Sequence, residues 1–541
     1  MTFHLQRIEG VYQGLMSGQF PVRIQPGWLD GNGYAASIFY GDILLYFPAM
    51  LRIIGFTVQE AYKMYAEMVN IATVGIAFYS FRKITKDDFA AMMGAVLYTG
   101  SINRLCHLYG GLVGTYSGVM FYPLVVAGFY LIFTEDVKDK TYKKLWVFLT
   151  VGFSGLLMTH MISCLMVGVF SFMACLIMIR RVFRKETLIV LCKAVLAAFF
   201  LNLWYLIPFF QYMRTEKLHI NGLLASEIVS NDYSTLLAGF VKEGQNFYSL
   251  FVGPEQIGYA LWLVILFYII SIPIQKKHPF SKPCRFVFLY MIVVLWVSTI
   301  YFPSIRLAER STLLLKYFQT IQSQNRFLSV AVALAACLSA LFIASNMWKR
   351  ELVYLLCGAL CCINLYQGLQ YFATITPDVV YLDSVDLSSH IFKGFYDYGI
   401  GNGEYLPTAT DTERLTKDIQ TDETLQIIDY NRNYLIYDTV VTNEANVPKS
   451  ILYPIIYYGG YRTFDVENGT ELETVAGDNG RVQVTVPAGY SGTIHTAFCE
   501  PWYWRVAELI SLLTFIFILY LYYRRKYIGI NVFMKKEKKG E

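Results

Sequence analysis

The chain has 541 residues, 55% hydrophobic and only 16% charged, where an ordinary soluble domain carries about 25% charged residues. That composition excludes a disordered or fibrous protein. Windows of about 20 apolar residues separated by short basic connectors predict a polytopic α-helical membrane protein. The net charge of +5 hides a division: residues 372–500 hold 7 basic and 19 acidic residues, a balance of −12, and the remainder stands at +17. The basic residues sit at the ends of apolar segments rather than on one folded face, which excludes nucleic acid as the partner.

In chain order, 1–61 reads as an extracytoplasmic first loop. Within it, 37–56 is apolar but carries Asp42 and Arg52, as an interfacial helix would. Met1-Thr2-Phe3-His4 opens directly on polar sequence with no apolar signal segment. A span missing ahead of Met1 is therefore expected, the alternative being an unusual route across the membrane.

A multi-span transmembrane domain is expected over 62–372. Its spans fall at 62–81, 89–109, 112–133, 187–212, 257–274, 285–302, 327–346 and 352–372, and 502–523 forms a final transmembrane helix. The stretch 145–179 is too long for one span and short for two. Thr159-His160-Met161-Ile162-Ser163 interrupts it, which predicts a tight hairpin with a polar tip. The connectors 82–86, 138–144, 180–185, 276–277 and 349–350 and the tail 524–541 are all basic, and counting spans places them on one side, the cytoplasmic. The tail suits an anionic inner leaflet. Segments 1–61, 214–256, 304–326 and 373–501 then lie outside. Residues 304–316, with Arg306, Glu309, Arg310 and Lys316 among leucines, read as a second surface-lying helix.

Within 373–501 the runs 433–441, 451–458, 461–465, 481–486 and 492–498 are short, partly alternating and rich in Val, Ile, Thr and Tyr. Gly459-Gly460, Glu467-Asn468-Gly469 and Asp478-Asn479-Gly480 are turn signals between them. A small antiparallel β-sandwich is expected before the last transmembrane helix. Asn468-Gly469-Thr470 fits the glycosylation sequon but reads better as a turn. Of the ten cysteines, Cys164, Cys175, Cys192, Cys337, Cys357, Cys361 and Cys362 fall in apolar spans as small hydrophobes. Cys106 and Cys499 lie near the expected outer face, where a disulfide between them is open. No Cys/His group has zinc spacing, so no metal is expected.

Several short motifs recur in a recognisable order: Phe3-His4-Leu5-Gln6-Arg7-Ile8-Glu9-Gly10, Gly18-Gln19-Phe20-Pro21-Val22, Leu45-Tyr46-Phe47-Pro48-Ala49, Gln322-Ser323-Gln324-Asn325-Arg326-Phe327-Leu328, Gly403-Glu404-Tyr405-Leu406-Pro407 and Tyr457-Tyr458-Gly459-Gly460-Tyr461. With the layout above, they resemble the GT-C-like membrane glycosyltransferase superfamily and, within it, the bacterial YfhO-type multi-pass proteins. Some of those are labelled 6-pyruvoyl-tetrahydropterin-synthase-related. The resemblance implies an enzyme that takes sugar from a polyprenyl-phosphate donor at the outer face and modifies a cell-envelope glycan or lipid, without a cofactor. It also implies a leading span and an acidic residue just before the Phe-His-Leu motif, and this chain starts at that point. The pterin label has no support in the seven scattered histidines.

Glycosyl transfer from a lipid phosphate needs a carboxylate to deprotonate the acceptor and a cation, best an arginine, to hold the leaving phosphate. Candidate bases are Glu9, Asp30 and Asp42, and candidate phosphate ligands are Arg7, Arg104 and Arg326. His4, His107 and His160 are candidates to orient groups or relay protons. Each has a plainer alternative. Asp30 lies in Asp30-Gly31-Asn32-Gly33, a turn sequence. Asp42 can equally face water on an interfacial helix, and Arg7 and Glu9 can pair with other groups on the loop. Arg326 opens an apolar span, where snorkelling is the alternative. His160 can be a packing histidine inside its hairpin. Arg104 and His107 stand three apart, so one helix face can present both. The competing functions are a transporter or flippase for an envelope precursor, marked by broken helices and mid-bilayer charges, and a non-catalytic scaffold with an acidic β-domain.

Overall fold

The computed structural model describes residues 2–221, 256–273, 281–299, 301–321, 324–345, 348–375, 400 and 403–537. Most of the expected outer segment 214–256, the connector 276–277, Gln322, Ser323 and residues 376–399 lie outside these.

Among the described residues, four helices are long and apolar enough to cross a membrane: Val113–Thr134, Gln324–Ala344, Arg350–Ala373 and Trp502–Leu521. The helices Lys185–Leu201 and Leu203–Thr215 make a fifth candidate only if counted as one span, and they are bent by 73°. That is fewer than the apolar windows predict, and the reasons are local. The window 89–109 is broken at Gly100-Ser101 into Asp88–Thr99 and Ile102–Tyr109. The window 257–274 holds only the helix Tyr259–Ser271. The first window lies inside a 28-residue helix, Val58–Thr85, whose Lys63, Glu67 and Asn70 dilute its apolar character. The stretch 145–179 is two helices, Trp146–Thr159 and Met161–Ile177, that meet at an extended His160.

The first loop is more regular than its composition announces. Thr2–Met16 is a helix. Leu5 and Ile8, three apart on one face, are buried against Leu45, Tyr62, Tyr65 and Val113. The apolar run 37–56 folds as Ala36–Phe39, Ile43–Leu45 and Tyr46–Ile53, interrupted by the turn Tyr40-Gly41-Asp42. The surface segment after 304 is likewise two helices, Ser304–Arg310 and Thr312–Ile321.

Nine strands follow among the described residues: β1 (Gln420–Thr421), β2 (Leu425–Asn433), β3 (Ile436–Asn443), β4 (Lys449–Ile456), β5 (Tyr461–Asp465), β6 (Glu471–Leu472), β7 (Thr474–Ala476), β8 (Arg481–Val486) and β9 (Ser491–Phe498). They form two antiparallel sheets, ordered β1-β4-β8-β7 and β2-β3-β9-β5-β6. Val441 and Ile494 of one sheet share a core with Ile451 and Val484 of the other, the inward alternation of a sandwich. Gly469 and Gly480 turn the chain at φ of 71° and 66°, a region open to glycine at little cost.

The β-region does not stand apart. Ile24, Trp28, Leu29 and Tyr34 of the first loop enter its core. The backbone amide of Ile456 donates to Asn32 O at 2.9 Å, and Arg432 donates to Gly31 O at 2.7 Å. Expressed alone, 411–497 is therefore expected to give a β-type circular-dichroism spectrum, but to bind a dye for exposed apolar surface. A helical spectrum, or a dye-free segment melting as sharply as the intact chain, would contradict this.

A buried ionic staple closes the first loop on the final helix. Arg23, 1% exposed, donates to Glu508 at 2.6 Å, Glu500 at 3.4 Å and Trp204 O at 3.1 Å. All ten cysteines are free, so the open Cys106–Cys499 pairing is not made.

Candidate functional site

The turn Tyr40-Gly41-Asp42 lies against the hairpin tip because Gly41 has no side chain. A Cβ there would lie 2.4 Å from Met158 O. Arg7, on the first helix, holds the turn. Its Nη2 donates to Tyr40 O at 3.2 Å and Gly41 O at 2.9 Å, and its guanidinium lies 4.1 Å over the Tyr40 ring. Its Nη1 is 3.4 Å from His4 Nδ1. Burial, helped by the Arg7 charge, pushes His4 well below the ordinary histidine range, so it is neutral at pH 7.

Asp42 is 3% exposed, and burial pushes its carboxyl up to about 6, against the pull of Arg7 and a hydrogen bond from Ser37. Ser37 Oγ accepts from Gln25 Nε2 at 2.8 Å, and Gln25 Oε1 accepts from Trp28 Nε1 at 2.7 Å. This chain of donors holds one side of the carboxylate, and its buried Oδ2 has no hydrogen bond among the described residues. Arg7, Gly41, Asp42, Tyr65, Gly114 and Ser117 line a small cavity of about 10 Å³ beside it.

His160 closes the site from the hairpin. Its Nδ1 accepts from the Ser163 amide at 3.2 Å, which leaves Nε2 carrying the proton in the neutral ring. His107, on Ile102–Tyr109, has its Nε2 at 3.0 Å from Ser329 Oγ, which donates to Asn103 Oδ1 at 3.0 Å. His107 Nε2 is therefore a donor, and its buried Nδ1 has no hydrogen bond. Arg326, half-buried in the turn Gln324–Phe327, acts electrostatically on His107, His160, Tyr40 and Tyr122. Tyr122 also lines an apolar groove of about 70 Å³, with Phe129, Phe133, Phe170, Tyr290 and Leu334.

The fold thus gathers His4, Arg7, Asp42, His160, His107 and Arg326. It separates three other candidates. Glu9 is held by Arg52 through both carboxylate oxygens, tying the first helix to Tyr46–Ile53. Asp30 sits in a turn at φ 57°, half-exposed, 3.2 Å from Lys417 on the β-region; a carboxylate there has no access to the cluster. Arg104 acts electrostatically on His107, but its guanidinium is engaged elsewhere. It reaches back to Asn70 Oδ1 at 2.7 Å and Thr73 Oγ1 at 3.0 Å, and lies 4.5 Å over Tyr116. Tyr40, Ser37 and Gly114 belong to the site without having been singled out. The interruption of an apolar run by Tyr40-Gly41-Asp42 is the signal that marks one of these neighbours, Tyr40.

Chemically, the Arg7 and Arg326 guanidiniums flank three imidazoles, with the carboxylate on the Arg7 side, an arrangement suited to an anion and to proton transfer at one carboxylate. Among the described residues, no group of three His, Cys, Asp or Glu side chains could hold a metal ion. No family model, curated protein or solved structure matches the chain.

Proposed function

We propose that the chain is an integral membrane glycosyltransferase of the GT-C-like kind, or a degenerate relative of one, handling a polyprenyl-phosphate-linked sugar at the outer face. The observation that carries this reading is a buried Asp42 carboxyl beside Arg7, on the same turn as Tyr40, which together with the groove residue Tyr122 lies in the field of Arg326. A carboxyl poised at about 6 is ionised at neutral pH yet basic enough to accept a hydroxyl proton. Arg326 offers a planar fork to the leaving phosphate, and the groove offers the lipid an apolar path. The basic connectors supply the orientation.

The test is transfer of labelled sugar from a polyprenyl-phosphate donor to envelope lipid or glycan acceptors by the purified chain. Asp42→Asn is expected to lower the rate by about 10²–10⁴-fold, the scale of a general base. The parent rate is expected to fall as pH drops through about 6, where Asp42 takes up its proton. Because its folded value is raised, ionised Asp42 costs stability above that pH. Asp42→Asn is then expected to keep or raise the melting temperature at pH 7. A fully active Asp42→Asn protein would rule Asp42 out as the base.

A transport reading is favoured by one observation, the 73° bend between Lys185–Leu201 and Leu203–Thr215, since broken helices line transporter sites. It requires labelled precursor to cross a proteoliposome membrane without sugar transfer.

A further inference from the structure

We propose that Tyr40 is a ligand-contacting residue, its hydroxyl donating to the same phosphate group that Arg326 binds. This rests on the lipid-phosphate reading above and adds to it a specific donor. Arg7 spends its Nη2 on the carbonyls of Tyr40 and Gly41, so its role is to hold the turn. A phosphate has more oxygen acceptors than the fork of Arg326 can satisfy. Further donors have to come from elsewhere.

Tyr40 is placed to be one. Arg7 fixes one face of the ring at 4.1 Å, and His4 meets it edge-on at 5.9 Å between centroids. The hydroxyl reaches over Gly114, where an added Cβ would stand 2.0 Å from it and 3.0 Å from His160 Cδ2. The phenol and the imidazole therefore converge above one glycine, and that slot exists only because Gly114 has no side chain. Arg326 acts on both Tyr40 and His160.

Several other tyrosines of the helical part spend their hydroxyls on the fold, although those of Tyr62 and Tyr122 do not. Tyr116 donates to Ala66 O, Tyr142 to Ile132 O and Tyr205 to Phe39 O. The Tyr40 hydroxyl makes no hydrogen bond among the described residues, and the residue is only partly buried. Burial raises its ionisation above the ordinary tyrosine value, so the phenol keeps its proton and can donate.

The test uses the full chain in detergent with two probes, polyprenyl monophosphate and inorganic phosphate. Tyr40→Phe keeps the ring under Arg7 and removes only the hydroxyl. It is expected to weaken lipid-phosphate binding about tenfold, the scale of one hydrogen bond to a charged group, with the melting temperature unchanged. A loss for the lipid probe alone assigns the contact to lipid-borne phosphate, and an equal loss for both assigns it to phosphate from either source. Gly114→Ala, which puts a methyl in the slot, is expected to weaken binding at least as much. If Tyr40→Phe binds like the parent while Arg326→Gln is weakened, the inference is overturned and the lipid-phosphate reading stands. If both variants bind like the parent, both fall. A Tyr40→Phe chain that melts several degrees lower shows a hydroxyl serving the fold, and overturns the inference too.

Discussion

Arg326→Gln is expected to weaken binding of polyprenyl phosphate by about 2–3 kcal/mol, the scale of a charge-assisted hydrogen bond to a buried partner. Arg326 opens the span Gln324–Ala344, so its charge stands at the end of an apolar column. Its neighbours there are His107, His160 and Tyr40; His160 Nε2 and the Tyr40 hydroxyl can donate to a bound anion, and none of the three cancels the cation. Arg326→Lys is expected to fall between parent and Gln, because a point charge cannot reproduce the two-pronged contact. Titration of each variant with the lipid phosphate measures this, and a melting curve serves as control. If both variants bind like the parent, or both misfold, Arg326 serves the fold and the site assignment fails.

The second large effect concerns stability. Arg23→Met is expected to destabilise the chain by about 3–5 kcal/mol, the usual result of removing one partner from a buried ion pair. Glu500 and Glu508 are 9% and 18% exposed at the side chain, and they would keep only Arg505, at 3.6 and 2.9 Å. Burial already holds the Glu500 carboxyl above its ordinary range, with Arg23 and Arg505 opposing. Adding Glu508→Gln to Arg23→Met is expected to recover part of the loss, since one stranded charge is gone. A melting temperature unchanged in the single variant would show that Arg505 alone balances both carboxylates.

Legibility in the sequence followed the range of the interaction. Strands β3, β4, β5, β8 and β9 were readable because inward residues alternate and glycine turns bound them. Strand β2 was not, because its surface is exposed at Ile428 and Tyr430 and its end, Asn431-Arg432-Asn433, carries no apolar alternation. The helical break at His160 was visible as a polar interruption in an apolar stretch. The bend at Asn202 was hidden, since the apolar run continues through it. Arg23 could not be read at all, because its carboxylate partners lie 477 and 485 residues away. In the site, charge made Asp42, Arg7 and Arg326 conspicuous, and the turn sequence around Asp30 already set it apart from Asp42. The fold completes the separation, by burying one beside Arg7 and turning the other toward Lys417. Tyr40 gave no contrast by residue type in a chain with 42 tyrosines; only its place in the interrupted apolar run marked it.

The central claim is that a lipid phosphate sits against Arg326. The most direct measurement is photo-cross-linking in proteoliposomes, with a polyprenyl phosphate carrying its photoreactive group next to the phosphate, followed by peptide mapping. Adducts concentrated on 40–42, 102–109, 159–163 and 324–329, and competed away by unlabelled polyprenyl phosphate, are the expected result. Adducts spread over lipid-facing surfaces such as 502–521, unchanged by competitor, would contradict it.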